Sequence, residues 1–599
     1  MDITLWIVGG VVTVVTGIPV AIQLRRHPRG LFILFFAEMW ERFSYYGMRG
    51  LLIFYLTQQF LFTDDFAQGE YGAYTSLVYL LPLIGGFVAD KWLGTRKAIA
   101  FGALLLVAGH FTMAIEGRPA TQMLRYGGHS FTFVVTGRGE ARQARLKIGD
   151  TTYEVGSAQG GGMAIKGLPR SAPLPGMLAR GTFELSVVDR DPLFANILYL
   201  ALSLIIMGVG FLKANISSIV GQLYSPVDAR RDPGFTLYYY GINLGAFWAS
   251  LACGWLGTKI GWWAGFGAAG VGMLAGYLVF VLGKPLLEGH GEPPEPKRLS
   301  AATLGPINFE WTIYLAALVG LALVWALVQH NEIVGYLLAG GSALVLGYLF
   351  WFMATKCTKI ERERMLLALI LIAASVVFWT LFEQAGTSLN LFTARNSSLE
   401  LFGVPIAAPQ VQSFNAGFIL IFAPAFSALW AYLGRHKADP NPVVKFGLGL
   451  LQVGASFFVL VWSARFADAQ FRVPLYFLAI SYLLQTTGEL CLSPVGLSQM
   501  TKLSPLATIS TLMATWFLAS SWSQWIGGKV AQLTSAETVA GQVLDPQKAL
   551  ATYMRVFEMI GYWGAGAGVL MLVLSPVLKH WTHERDRPVI ASEAKQSMM

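Results

Sequence analysis

Apolar runs long enough to cross a bilayer recur from one end of this chain to the other, and this feature constrains its fold most. A hydrocarbon core of about 30 Å needs roughly 20 consecutive residues of α-helix. The stretch "ILYLALSLIIMGVGFL" beginning at residue 197 is one of many such runs. Apolar residues make up 55% of the 599-residue chain and charged residues 13%, with a mean hydropathy of +0.54. A soluble domain is about a quarter charged. A membrane barrel would show short alternating segments instead, and those are largely absent. The chain reads as an all-α polytopic membrane protein.

The periodicity and the loop signals predict spans near 4–24, 30–61, 70–90, 97–115, 193–223, 234–256, 262–283, 309–329, 332–355, 364–393, 411–433, 443–464, 473–500, 506–530 and 550–579. The first span lacks a basic segment ahead of it and a small-residue cleavage site, so it reads as a retained helix rather than a signal peptide. The net charge of +9 lies mostly in short loops, "RRHPR" 25–29, "KWLGTRK" 91–97, "RR" 230–231 and "RHK" 435–437. That distribution follows the positive-inside rule and argues against a nucleic-acid partner. Cys253, Cys357 and Cys491 are scattered in apolar context and predict neither a disulfide framework nor a metal site.

Two segments differ from the rest. Residues 116–191 hold the strand-like pieces "SFTFVVTG", "ARLKIG", "TTYEVG" and "GTFELSVV", separated by Gly-rich turns. This predicts a small extramembrane β-rich insert; the alternative is a disordered loop. With the basic loops inside, the insert falls outside. Residues 284–308, "KPLLEGHGEPPEPKRLSAATLGPIN", form a Pro-rich linker that divides the chain into two helical halves. The expected organisation is an extra N-terminal helix (1–29), a first bundle (30–283) carrying the insert (116–191), a linker with two further helices (284–355), a second bundle (356–580) and a polar cytoplasmic tail (581–599).

Some helices carry charges that lipid would penalise. In "FFAEMWERFSYYGMRG", residues 35–50, Glu38, Glu41, Arg42, Tyr45 and Arg49 share one helical face. Each charge costs roughly 2.5–3.5 kcal/mol to insert. Pairing a carboxylate with a guanidinium one turn away removes much of that cost, and the face must look into a bundle or a wet cavity. Three other predicted helices carry a single charge within their apolar stretch: Lys213, Glu383 and Glu489. Two cations and two anions on separate helices suggest pairs that form and break between helices. Intramembrane ionisable groups mark function by default, the alternative being a structural ion cluster, and an acid that changes protonation can carry a proton. The aromatics and amides nearby, Tyr46, Tyr79, Tyr239, Asn243, Trp379, Asn415 and Trp516, read individually as packing or interface belt. In "GGFVADKWLGTRK" the glycines allow tight packing, and Asp90 is expected to cap and to pair with the basic residues. "GAGAG" 564–568 reads as a helix-packing face. The chain has no phosphate-binding loop, no HExxH and no nucleophile–base pattern, so an enzyme is not expected.

Taken together these motifs resemble the proton-dependent oligopeptide transporters, a branch of the major facilitator superfamily. "EMWERFSYYGMRG" is similar to that family's ExxERFxYY motif, and "GGFVADKWLGTRK" to the superfamily's loop between its second and third helices. "GFTLYYYGINLGAF" 234–247 resembles the family signature on its fifth helix. "FLKANIS" 211–217, "FWTLFEQAG" 378–386 and "GELCLSPVGLS" 488–498 resemble its fourth-, seventh- and tenth-helix motifs. The likeness covers roughly 30–580 apart from 116–191.

The resemblance implies a major facilitator fold of two six-helix bundles around a central cavity, with two accessory helices between them. It also implies import of di- and tripeptides with protons as the coupling ion and no other cofactor. By motif, Glu38, Glu41 and Arg42 would couple protons and peptide, with Glu383 and Glu489 as further proton-coupling acids. Arg49 and Lys213 would form the positive side of the cavity and meet the peptide carboxylate. Glu383 and Glu489 would form the negative side, with Glu489 near the peptide amino group. Tyr46, Tyr79, Tyr239, Asn243, Trp379, Asn415, Ser493 and Trp516 would line the pocket. The expected gating ion pairs are Arg49–Glu383 and Lys213–Glu489, which would alternate in making and breaking as the bundles rock. The expected location is a plasma membrane, the inner membrane of a bacterium. The insert and the first helix depart from the family pattern and leave open an outside partner for residues 116–191. Two rival readings are a related carrier of another small organic anion or amino acid, and a peptide-binding membrane sensor.

Overall fold

The structure is a computed structural model and describes residues 3–158, 161–225 and 228–583. The helices of the first half are α1 (Ile3–Leu24), α2 (Arg29–Phe54), α3 (Asp64–Val88), α4 (Thr95–Met113), α5 (Pro192–Gln222), α6 (Arg231–Lys259) and α7 (Trp262–Leu282). A short linker helix, α8 (Pro296–Ser300), precedes α9 (Phe309–Val328) and α10 (Asn331–Thr355). The second half holds α11 (Lys359–Phe382), α12 (Ser388–Asn396), α13 (Ser413–Arg435), α14 (Pro442–Ser463), α15 (Tyr476–Leu503), α16 (Ile509–Gln532) and α17 (Pro546–Leu578). Several helices start on the same chemistry. Asp191, Asn441 and Asp545 each cap a free backbone N–H and are followed by proline, whose missing N–H costs nothing in the first turn. Thr358 and Glu361 form a reciprocal capping box on α11.

Among the described residues, eleven helices are long and apolar enough to cross a membrane. The helices α2, α6, α15 and α16 fall outside that set, and each carries candidate site residues: Glu38 to Arg49, Tyr239 and Asn243, Glu489, and Trp516. Polar side chains that lipid would reject are carried on helices that face other helices. The helices α2–α7 form one bundle and α11–α17 the other, giving the expected major facilitator architecture. The extra helix α1 lies on α6, where Tyr240 hydroxyl and Thr16 Oγ1 are 2.8 Å apart and Trp248 Nε1 donates to Thr13 Oγ1 at 2.9 Å. The accessory α9 leans on the first half, with the Tyr314 and Phe101 rings stacked at 4.5 Å. The accessory α10 leans on the second, where Trp522 Nε1 donates to Ser342 Oγ at 2.8 Å. The linker is pinned to the first half by Glu292, which takes two hydrogen bonds from Arg96 at 2.8 and 3.1 Å.

Three predicted elements differ. The span expected at 70–90 begins six residues earlier, at Asp64, because Thr63 caps it there and Asp64 and Asp65 fill its first turn. The span expected at 364–393 is broken: α11 ends at Phe382, a 3-10 turn covers Glu383–Gly386, and α12 follows. Asp90 neither caps a helix nor pairs with a base among the described residues. The chain continues from α3 as a π turn over Ala89–Leu93, and Gly94 with φ 78° makes the corner. The neighbouring bases go elsewhere: Arg96 to Glu292, and Lys97 to Glu310 at 2.5 Å.

The insert is a folded sheet of seven strands rather than the four pieces read from sequence. They are β1 (Thr121–Tyr126), β2 (His129–Thr136), β3 (Gln143–Ile148), β4 (Thr151–Ala158), β5 (Gly162–Ile165), β6 (Met177–Leu178) and β7 (Glu184–Val188), in the order β6-β5-β4-β3-β2-β1-β7. Each neighbouring pair is antiparallel. One face buries Leu124, Phe133, Leu146, Met163, Ile165 and Leu178. The strands β1, β5 and β6 are short or interrupted by polar residues, so alternation alone did not single them out. The tail expected at 581–599 lies outside the described residues from 584 onward.

Candidate functional site

The charges singled out in the sequence converge on the interior between the two bundles. On α2, Arg42 Nε donates to Glu38 Oε1 at 2.9 Å and lies 3.1 Å from Glu41 Oε2. Both carboxylates are buried. One turn on, Tyr46 is half-buried. Arg49 reaches across the molecule to Glu383, forming an ion pair between the halves. Its Nε donates to the Tyr71 hydroxyl of α3 at 2.7 Å. Gly386 makes this arrangement possible: a Cβ there would stand 2.1 Å from the Tyr71 hydroxyl. The 3-10 turn that interrupts α11 thus carries the acid at its first residue and leaves room for the tyrosine at its last. Tyr71 was not anticipated, because a tyrosine in an apolar helix gives no signal of its own.

Lys213 and Glu489, the second of the expected alternating pairs, are not paired in this conformation. Lys213 Nζ stands 3.4 Å from the centre of the Tyr79 ring, a cation–π contact. Glu489 is held by neutral donors instead: Asn415 Nδ2 at 3.3 Å and the Tyr239 hydroxyl at 3.5 Å. Asn415 also donates to Thr486 Oγ1 at 3.0 Å, which fixes the amide beside the carboxylate. Asn243 donates to the Tyr239 carbonyl at 2.9 Å one turn back, so its amide is engaged by its own helix. Trp379 packs edge-on against Phe378 and Phe382, both at 5.2 Å. Trp516 is buried, and its ring would lie 2.3 Å from a Cβ at Gly496 on α15. Ser493 lies on α15 one turn after Glu489, partly exposed.

Further cross-bundle contacts gather toward one end, the end that carries the insert. Arg395 of α12 makes two hydrogen bonds to Asp64 of α3 at 2.5 and 2.7 Å. Asn390 Nδ2 donates to the Gly50 carbonyl at 3.0 Å, and Gln410 Nε2 to the Leu251 carbonyl at 3.1 Å. Helices α3 and α16 touch backbone to backbone: a Cβ at Gly528 would stand 2.9 Å from Gly72 Cα. Ser521 Oγ donates to the Ser76 carbonyl at 2.6 Å on the same seam. The Asp64–Arg395 pair escaped the sequence reading because both residues sit at helix ends, where charges are ordinary.

A POT family profile matches residues 96–549 of this chain. The chain belongs to the POT family. It is 33% identical over 565 residues to the uncharacterised transporter YclF of Bacillus subtilis, covering 92% of this chain and 94% of that protein. It is 29% identical over 572 residues to the dipeptide and tripeptide permease A of Cronobacter turicensis, covering 95% and 96%. Among solved structures it is similar to the peptide transporter POT crystallised with sulfate, with 30% identity and a TM-score of 0.69 over 93% of this chain and 96% of that one. The protein is therefore a multi-pass membrane protein of this transporter family, with a sheet domain inserted into its first half.

Proposed function

We propose that the protein is a proton-coupled symporter that imports di- and tripeptides by alternating access, in the inner membrane of a bacterium. The observation that carries this reading is the opposition of charge across the interior. Arg49 and Lys213 stand on the first half, and Glu383 and Glu489 on the second. A zwitterionic peptide has one charge at each end. Cations on one wall and anions on the other hold both ends whatever the side chains between them. Tyr46, Tyr79, Tyr239, Asn243, Trp379, Asn415, Ser493 and Trp516 supply the remaining walls and backbone hydrogen bonds.

Proton coupling follows from the ion pairs. Protonating Glu383 removes the charge that holds Arg49, and the cation is freed for a peptide carboxylate. Glu38, Glu41 and Arg42 form a second such group on α2, and Glu489 a third acid beside neutral donors. Each protonation changes the relative stability of the conformations with the end bearing the insert closed and open. The membrane potential drives each proton inward with about 2.3 kcal/mol per 100 mV. The relatives named as dipeptide and tripeptide permeases support the substrate class.

Competition tests the substrate. The purified protein in liposomes should take up a labelled dipeptide, unlabelled dialanine should compete, and free alanine should not. Competition by alanine but not by dialanine would identify an amino-acid carrier instead. Peptide binding without uptake would identify a sensor.

A further inference from the structure

The sheet domain is fastened to one half of the transporter and docked on the other. Both of its roots are gripped by the segment after α2. Ala120 N donates to the Gln59 carbonyl and Gln59 Nε2 to the Gly117 carbonyl, each at 2.8 Å. At the other root Arg190 donates to the carbonyls of Phe60 and Leu61 at 2.9 and 3.1 Å and lies over the Phe62 ring. These contacts make the sheet move with the first half.

Its apolar face is closed by the second half. The hairpin between α16 and α17, Thr538–Val539 paired with Gln542–Val543, enters the sheet's core. Val539, Ala540 and Leu544 are buried in one cluster with Leu124, Phe133, Leu146 and Met163. Gln542 acts as a plug: its Oε1 accepts from Ala144 N at 2.8 Å, and its Nε2 donates to the Arg142 carbonyl. Ala540 N donates to Gln122 Oε1, and Ser157 Oγ donates to Asp545 Oδ2 at 3.0 Å. Ala540 and Gly541 both have positive φ, 46° and 78°. They form the two-residue turn that matches strand twist, here with an alanine in the left-handed region where glycine or asparagine is usual.

We infer that the inserted sheet is a second gate, a clamp that joins the two halves outside the membrane and must release each time the end bearing the insert opens. This rests on the alternating-access reading above. The clamp lies beyond the seam sealed by Asp64–Arg395 and Gly72–Gly528 and roofs a cavity of about 1050 Å³. Glu116, Arg138 and Arg142 from the side of the first half, and Asp468 and Arg472 from the second, line this space. A substrate approaching from that side meets the roof before the seam. The joint is built to let go. Arg142 Nη1 is buried at the contact with no hydrogen-bond partner among the described residues. Burial pushes its guanidinium down to about 10, with desolvation as its cause. A guanidinium partly withdrawn from water without a counter-charge weakens the contact that covers it.

Two measurements on the full chain test the clamp. The first is a disulfide between Ser157→Cys and Asp545→Cys in a background lacking the native cysteines. The clamp predicts that the cross-link forms on oxidation, lowers dipeptide uptake about tenfold or more, and is reversed by reductant, because uptake requires the halves to rock. Failure to cross-link, or uptake by the oxidised protein equal to that of the reduced, overturns it. The second needs no transport: nitroxides at Lys147 and Lys548, both exposed, report the distance across the joint. The clamp predicts a docked and a released population whose ratio changes with pH or dipeptide, and that Arg142→Met shifts it toward the docked one. A single distance under every condition overturns it. If the parent protein takes up no dipeptide while the two populations are seen, the substrate reading fails and the clamp stands.

Discussion

Arg49 and Glu383 form an ion pair between the two halves in which neither side chain is more than a tenth exposed. Lys213 and Glu489, the other cation and anion expected to pair, are apart and held by an aromatic ring and by neutral donors. One pair made and one unmade is the arrangement that the proposed exchange of pairs requires of a single conformation. Removing one member of a buried pair leaves its partner uncompensated, which costs about 3–5 kcal/mol. The two acids therefore do different work in this conformation, and their variants separate.

No cation pairs with Glu489 among the described residues, where Asn415 and Tyr239 hold it, and this leaves its charge for the peptide amino group proposed above. Glu489→Gln should weaken dialanine binding by about tenfold or more, the loss of one charge-assisted hydrogen bond. Binding of N-acetylated dialanine, which has no amino charge, should change little. Calorimetry or scintillation proximity binding with both ligands checks this. Equal losses for the two would place the amino terminus elsewhere.

Asp64 and Arg395 hold the end bearing the insert together, with side chains 1% and 9% exposed. Asp64→Asn leaves the guanidinium buried without its counterion, a cost of about 3–5 kcal/mol. The thermal midpoint in detergent should fall by several degrees. Asp64→Asn with Arg395→Gln should recover part of the loss. A double variant as unstable as the sum of the singles would show that the pair is not coupled.

Helices α3 and α16 close only because Gly72 and Gly528 are both bare. Gly528→Val adds atoms where a Cβ alone would stand 2.9 Å from Gly72 Cα, and overpacking of this kind costs about 1–3 kcal/mol. The variant should keep its helical circular dichroism while a cysteine placed at Ser76, fully buried here, becomes reactive to a thiol reagent. Unchanged protection at position 76 would mean that the seam tolerates the added bulk.

The linker is expected to loosen in acid. Hydrogen bonds from Arg96 hold the Glu292 carboxyl below its ordinary value of 4.5. A depressed folded value means that the contact contributes fully above the ordinary one and is lost as pH falls through the depressed one. A spin label at Glu288 should be immobilised at neutral pH and gain mobility as acidification carries the pH below the ordinary carboxyl value of 4.5 and through the depressed one. Arg96→Gln should be mobile at both. Mobility that is constant with pH in the parent would remove Glu292 as the fastener.

The legible part of this molecule was the part where burial makes a residue type costly. Glu38, Glu41, Arg42, Arg49, Lys213, Glu383 and Glu489 stand out because lipid penalises charge, and eleven of the helices follow from length and hydropathy. What remained hidden depends on contacts between residues far apart in sequence. Asp64 and Arg395 are 331 positions apart and Ala144 and Gln542 are 398 apart; no local pattern joins them. Tyr71 is silent because its role is to receive Arg49, and the break at Glu383–Gly386 is silent because the surrounding apolar run continues across it. The strands β1, β5 and β6 are completed by neighbours in the sheet rather than by their own alternation.

Coupling through the Arg49–Glu383 pair is tested most directly by pH-jump uptake of a labelled dipeptide into liposomes. The parent protein should accumulate dipeptide when the outside is acidified, and an ionophore that collapses the proton gradient should abolish the accumulation. Glu383→Gln should lose about tenfold or more of that gradient-driven uptake while still exchanging internal for external dipeptide. Accumulation that survives the ionophore, or a Glu383→Gln variant that still concentrates dipeptide, would contradict it.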